Sequence, residues 1–265
     1  MNIIVCVKQV SDPEAPPASF KIDAANRVML PADIPLVLDP YSEYALEAAL
    51  KLKDAYGSKI TALSLGAGLV REVIKKTLSM GADELILLED KAFDCGDSWS
   101  TAYALAMAIK KIDNYDLILC GRQAADWDAG QVGSGIAEIL NLPGVTIAHK
   151  IDVSDGRARV ERVTGDGYEI IEAILPALVT VSNEIGEPRY PTIRGIMAAK
   201  KREPTVWKPA DIGVEPSRVG AAGRRSHLVR LFQPAREGKC EMIEGETPEE
   251  AAVILAKRLK QEKLL

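Results

Sequence analysis

The chain has 265 residues, enough for one large domain or for a domain with an appendage. Hydrophobic residues make up 47% and charged residues 27%, which excludes a disordered chain. The formal net charge of -5 excludes a globally basic surface for nucleic acid, and no run approaches the roughly 20 apolar residues that span a bilayer.

The start, "MNIIVCVKQV", has an apolar run too short for the core of a signal peptide and no basic lead-in, so a soluble, cytoplasmic protein is expected, or a matrix protein in a eukaryote. Ile3 to Val7 reads as a first strand. The pattern of Tyr41 to Tyr56, with apolar residues at 45, 46, 49, 50 and 52 and Gly57 behind it, predicts a helix. A second strand is expected over Lys59 to Leu65, a helix over Val70 to Met80, and a third strand over Glu84 to Leu88. Ser98 to Lys111 reads as a helix. Asp116 to Cys120 reads as a fourth strand, and a helix containing Ile136 to Leu140 follows.

Strands alternating with helices of this length imply βαβ units and a mainly parallel, doubly wound α/β sheet of nucleotide-binding type. The strands are apolar throughout, as strands buried on both faces should be. After about residue 150 the pattern changes. "RARVERV" and "YEIIEAIL" flank "TGDG", which predicts an added β-hairpin, and Pro176 to Ser182 reads as one more strand. Alternation is expected to be finished by about residue 185. Residues 203 to 245 show no clear period and read as an irregular arm lying on something else. The last segment is well specified as a helix: Thr247 as N-cap, Pro248 in the first helical position, and Glu250 completing a capping box. Ala251, Ile254, Leu255 and Leu259 form its apolar stripe. The expected division is therefore an α/β domain over 1–185 and a recognition segment with a C-terminal arm over 186–265.

Chemistry is sparse. The four cysteines form no C-x-x-C pair, and Cys6 and Cys120 lie in strand-like runs where inert, buried thiols are expected. His149 and His227 have no ligand-spaced companions, so neither a metal site nor a Ser-His-Asp triad is indicated, and G-x-S-x-G is absent. In an open α/β sheet the loops beyond the carboxyl ends of the strands bind ligands. The first of these, "KQVSDPEAPP", lacks G-x-G-x-x-G, and no P-loop pattern occurs anywhere. The second, "SLGAGLVREV", places Gly66 and Gly68 between a strand and a helix. The fourth, "CGRQAADWDAGQVGSG", is dense in useful groups. Arg122 suits a phosphate; Gln123 and Gln131 suit ribose or base; Asp126 or Asp128 suits a helix cap or ribose hydroxyls; Gly130 and Gly133 remove bulk beside a phosphate. No nucleophile or acid/base pair stands among them, so the loop reads as one that holds a nucleotide rather than cleaving it.

With those residues in view, the chain resembles the β subunit of electron transfer flavoprotein over nearly its whole length. The stretches that carry the likeness are "IIVCVKQVSD", "LDPYSEYALEAAL", "CGRQAADWDAGQVG" and "LPALVTVSNEIGEPRYPTIRGIMAAKK". The resemblance implies a heterodimer whose electron-transferring FAD is held mainly by the α subunit, with AMP in the β subunit. In electron-bifurcating members a second FAD replaces AMP and takes hydride from NADH. It implies a nucleotide grip made of Val7, Lys8, Asp39, Pro40, Leu65, Gly66, Gly121, Arg122, Gln123, Asp126, Asp128, Gln131, Val132 and Gly133, with no catalytic residue. It also implies a docking segment for acyl-CoA dehydrogenase-type flavoenzymes from Pro188 to about Lys201. There Ile193 is the apolar anchor and Arg189, Tyr190, Ile196, Met197 and Lys200 surround it. Bifurcating members often read G-R-Q-x-x-D-G-D-T-A-Q-V-G-P, from which this chain departs at Trp127, Ala129, Gly130 and Ser134; AMP-type members carry Lys where this chain has Arg122. Many members have an acidic residue where this chain has Val163. A remoter alternative is a nucleotide-sensing protein of the universal-stress type, which would end near residue 150.

Overall fold

A computed structural model describes residues 1–23, 25, 28–30, 34–234 and 240–265. The chain runs from β1 (Asn2–Val7) through β2 (Gln9–Ser11), β3 (Lys21–Asp23), β4 (Val28–Leu30) and β5 (Leu36–Leu38) into helix α1 (Pro40–Tyr56). Then come β6 (Lys59–Gly66), the short helices α2 (Arg71–Ile74) and α3 (Lys76–Met80), β7 (Glu84–Glu89), α4 (Ser98–Ile112), β8 (Leu117–Gly121) and α5 (Val132–Leu140). Strands β9 (Gly144–Ser154), β10 (Arg157–Thr164), β11 (Gly167–Ile174) and β12 (Ala177–Val181) follow. The remainder holds α6 (Ile193–Lys200), β13 (Thr205–Trp207), α7 (Gly220–Gly223) and α8 (Pro248–Gln261).

The central sheet has the order β11-β10-β9-β12-β8-β1-β6-β7-β13. Every pair from β9 to β13 across this list is parallel, and β9, β10 and β11 form an antiparallel meander. The expected α/β fold is thus present, with the hairpin fused to the main sheet through β9 rather than merely attached. Its loop is Gly165–Asp166, closed by the pair Thr164 and Gly167.

Alternate residues of one strand serve two cores. Ile3, Val5 and Val7 pack under α1 and α3, whereas Ile4 and Cys6 pack under α4 and α5. From β1 the chain steps outward to β6 and β7 on the α1 side. Helix α4 then returns it across the other face to β8, on the opposite flank of β1. Strand order therefore reverses between β1 and β8, and the crevice at their carboxyl ends is the switch point where such folds bind ligands. Cys6 and Cys120 are in-register neighbours on these two strands. Their mutual hydrogen bond and burial push the Cys6 thiol up, so it stays protonated.

Four expectations are corrected. Residues Val70 to Met80 form two short helices, not one, because Lys75 takes a turn-like backbone (ψ -10°) between them. Alternation does not end near 185: Thr205–Trp207, a β-branched and aromatic triplet, adds β13 parallel to β7. The stretch after it is fastened too, with Ile212, Val214 and Val219 buried in the α4-side core, so the region expected to be an irregular arm is packed as far as about residue 223. Residues 235–239 of that region lie outside the described part. In α8, Thr247 accepts from the Glu250 N–H at 3.2 Å as expected, but the Glu250 carboxylate reaches the Glu246 N–H, one residue before the cap. No residue of α8 is buried, and Val253, Ile254 and Leu255 are exposed. Among the described residues no helix is long and apolar enough to cross a membrane.

Candidate functional site

The crevice is assembled around Asp39. Pro40 occupies the first helical position, which suits its fixed φ and missing N–H, so Asp39 falls at the N-cap of α1. Asp39 Oδ2 accepts from the Ser42 N–H at 2.8 Å and from Ser42 Oγ at 3.0 Å. Oδ1 accepts from the Ala125 N–H at 2.8 Å, in the loop that follows β8. The residue is 1% exposed. Burial pushes its carboxyl up from the usual range, against the pull of the hydrogen bonds from Ala125 and Ser42. The loop after β1 joins the same cluster: Lys8 N–H donates to Ser42 Oγ at 3.0 Å, and Asp39 N–H donates to the Lys8 carbonyl at 2.9 Å.

Across the mouth, Lys8 Nζ meets both Asp126 oxygens at 2.7 Å. Asp128 holds a left-handed backbone, φ 49°, and accepts from Gln123 Nε2 at 2.7 Å. Gln123 also donates to the Tyr41 hydroxyl at 3.2 Å. Arg122 lies with its guanidinium carbon 5.4 Å from the Tyr41 ring, and its buried Nε has no hydrogen-bond partner among the described residues. Gly121 lets these parts meet, since a Cβ there would stand 2.6 Å from Tyr41 Cβ.

Neither acidic residue of this loop caps α5, contrary to one sequence reading. The N-cap is Gln131, whose side chain makes no capping bond. The first backbone N–H groups of α5, from Val132 onward, have no intrahelical acceptor and lie at the positive end of the helix dipole. Gly133 does not clear space for a ligand as expected: a Cβ there would lie 2.6 Å from Thr180 Cγ2, so its smallness seats α5 on the sheet. Gly130 has φ 62°, a left-handed backbone that favours glycine. Trp127 is 62% exposed, so its ring points to solvent and does not fill the crevice.

The predicted residues separate into two groups. Lys8, Asp39, Pro40, Gly121, Arg122, Gln123, Asp126, Asp128, Gln131, Val132 and Gly133 converge on the switch point, and Val7 ends β1 beneath them. Leu65 and Gly66 end β6, one strand away on the other side of β1. The loop after β6 is stitched by protein groups. Gln9 bonds the Gly68 carbonyl and the Val70 N–H, and Glu89 takes the Leu69 N–H and pairs with Arg71 at 2.5 Å. The sequence reading missed Tyr41, Ser42 and Gln9. Ser42 had a signal in the D-P-Y-S start of α1; Gln9 had none.

The second predicted region presents Tyr190 (92% exposed), Ile193 (83%), Ile196 (41%) and Met197 (56%) to solvent, with Lys200 exposed beside them. Ile196 and Met197 do not face the core; Ala199 is the buried residue of α6. Arg189, expected on the docking surface, is instead turned onto α1. It forms a forked pair with Glu47 and bonds Asp54 at 2.9 Å.

This is a doubly wound α/β fold of the nucleotide-binding type with a polar crevice at its switch point. A description named "Electron transfer flavoprotein domain" matches residues 28–212. The caffeyl-CoA reductase-Etf complex subunit CarD of Acetobacterium woodii is 41% identical, with all of both chains covered. The electron transfer flavoprotein subunit beta of Megasphaera elsdenii is 39% identical over 96% of this chain and 95% of its own. Protein FixA of Azorhizobium caulinodans is 33% identical over 99% and 95%. The chain belongs to the electron transfer flavoprotein family, and its likeness is to the beta subunits. That membership removes the universal-stress alternative.

Proposed function

We propose that this chain holds AMP in the β1–β8 crevice of a heterodimer with an α subunit. In this reading it docks acyl-CoA dehydrogenase-type flavoenzymes through the 188–201 segment, and the electrons pass on to a quinone reductase or another acceptor. The observation that carries the nucleotide reading is Arg122. A guanidinium whose buried Nε has no partner among the described residues, set over Tyr41 next to the uncapped start of α5, supplies the donors that a phosphate takes. In this reading Arg122 and the first N–H groups of α5 take the phosphate. Gln123 and Asp128 orient the ribose, and Asp39 holds the grip together by tying the β8 loop to α1. A bound FAD supplies the electron-accepting ring; the residues of this chain bind, orient and exclude water, and none moves a proton.

A second reading gives the β site its own FAD, with NADH as hydride donor. It is supported by Arg122, where AMP-type members carry Lys, by the outward-turned Trp127, which leaves the crevice clear, and by the relative named as an Etf-complex subunit of a caffeyl-CoA reductase. The two readings separate on nucleotide content. Co-expressed with its α subunit and precipitated, the heterodimer should release one FAD and one AMP under the first reading and two FAD under the second. Arg122→Ala should lower the β-site nucleotide in either case. Full retention would sink the assigned grip.

A further inference from the structure

The docking segment is not a free loop. Residues 186–192 have no regular structure, yet they are fastened at several points. Lys51 Nζ donates to the Ile185 carbonyl at 2.5 Å. Arg189 donates its backbone N–H to Glu47 Oε2 at 3.0 Å, its Nε to the same oxygen at 2.9 Å, and its Nη2 to Glu47 Oε1 at 2.9 Å. Beyond α6, Arg202 Nη1 donates to the Asp83 carbonyl at 3.1 Å, and Glu203 pairs with Lys75 at 2.9 Å. Between these attachments Tyr190, Ile193, Ile196 and Met197 stand exposed.

Glu47 is the unusual member. It is a carboxylate on the core-facing half of α1, 4% exposed, and among the described residues its hydrogen bonds all come from Arg189. A buried charge is costly unless it is paired and hydrogen-bonded, and the planar guanidinium fork meets that demand in one orientation. The carboxylate makes sense as a fixed point for the chain on its far side, one residue before Tyr190 and four before Ile193.

We propose that Glu47, through Arg189, is the positioning residue of the docking segment: it holds the apolar tip in the form that a partner flavoenzyme receives. The inference rests on the docking reading given above. Ordering the segment in advance removes the conformational cost that binding would otherwise carry, so the clamp acts on affinity and not on electron transfer within the complex. Arg189 is thereby a positioning residue and not a contact.

The test uses the complete heterodimer with an acyl-CoA dehydrogenase, reduced by its acyl-CoA, as donor. Glu47→Gln keeps the size of the side chain and removes the charge. The expected result is a several-fold higher KM for the dehydrogenase at unchanged kcat and unchanged nucleotide content. Trypsin should also cut faster after Arg194 and Lys200. Arg189→Lys keeps the charge without the fork and should fall between parent and Glu47→Gln. An unchanged KM and cleavage rate would overturn the clamp, as would a rise in KM accompanied by nucleotide loss, which marks a general loss of structure. Ile193→Ala is measured in parallel. If it leaves KM unchanged, the docking reading itself fails and the clamp's role falls with it. If it raises KM while Glu47→Gln does not, only the clamp fails.

Discussion

Asp39 divides its two carboxylate oxygens between two elements, one for the start of α1 and one for the loop after β8. An amide cannot serve both, because its N–H₂ would face a donor on one side. Asp39→Asn is therefore expected to cost about 1–3 kcal/mol, the range for a buried donor left unsatisfied, and to loosen nucleotide retention. Urea unfolding and the nucleotide count of the purified heterodimer check the two parts separately. The pH sense follows from the raised carboxyl. Burial makes ionised Asp39 costly in the folded state above its folded pKa; that cost is lost as pH falls from the folded value to the unfolded one and is absent below it. The N-cap was legible in "LDPYS". The bond to Ala125 was not, since 86 residues separate the pair. The same limit hid the pair of Glu47 and Arg189, which are 142 residues apart.

At the scale of elements, α4 shows how one cap can serve a second purpose. Asp97 caps α4 by accepting from the Ser100 N–H at 3.0 Å, and Ser100 Oγ returns a bond to the Asp97 N–H, a full capping box. Its other oxygen accepts from the backbone N–H groups of Arg225 and Ser226 at 2.7 and 2.9 Å and from Ser226 Oγ at 3.1 Å. Burial works against its charge, but these donors prevail and hold the carboxyl well below the usual range. A depressed folded value means that the contribution is fully present above the unfolded pKa, about 3.9, and is lost as pH falls through the folded one. The chain from 224 to 226 should thus stay attached down to about pH 4 and release only in stronger acid. Arg225 stacks 3.6 Å over Trp99, so Trp99 fluorescence reports the release. Asp97→Ala should release it at neutral pH and cost about 1 kcal/mol for the lost cap. A fluorescence change midway between pH 5 and 7 in the parent would contradict the assignment. Helix α6 depends on a different close approach: a Cβ at Gly195 would lie 2.4 Å from the Ser79 carbonyl oxygen, so α6 sits on α3 only with glycine there.

At the scale of the molecule, α8 stands apart. It is a capped helix of 14 residues with an exposed apolar stripe and no buried residue, the form expected of an arm that packs on the α subunit. Deleting residues 247–265 should leave the thermal midpoint of the α/β body unchanged and weaken heterodimer formation, measured by sedimentation. A large fall in the midpoint would show that α8 belongs to the body. Strands β1, β6, β7, β8 and β12 and the long helices α1 and α4 were determined by sequence alone, because a strand buried on both faces must be apolar throughout and a helix on a sheet must carry an apolar stripe. So were the Thr247 cap of α8 and the density of polar groups after β8, since those are local. Only the tertiary structure decided where these groups meet. It placed β13 on the sheet edge, gave the cap of α5 to Gln131 instead of an aspartate, turned Gly133 toward Thr180, and turned Arg189 away from solvent onto Glu47. The reason is physical. Propensity and capping act within a few residues, whereas strand order, close backbone approach and the pairing of buried charge depend on parts of the chain that are far apart in sequence.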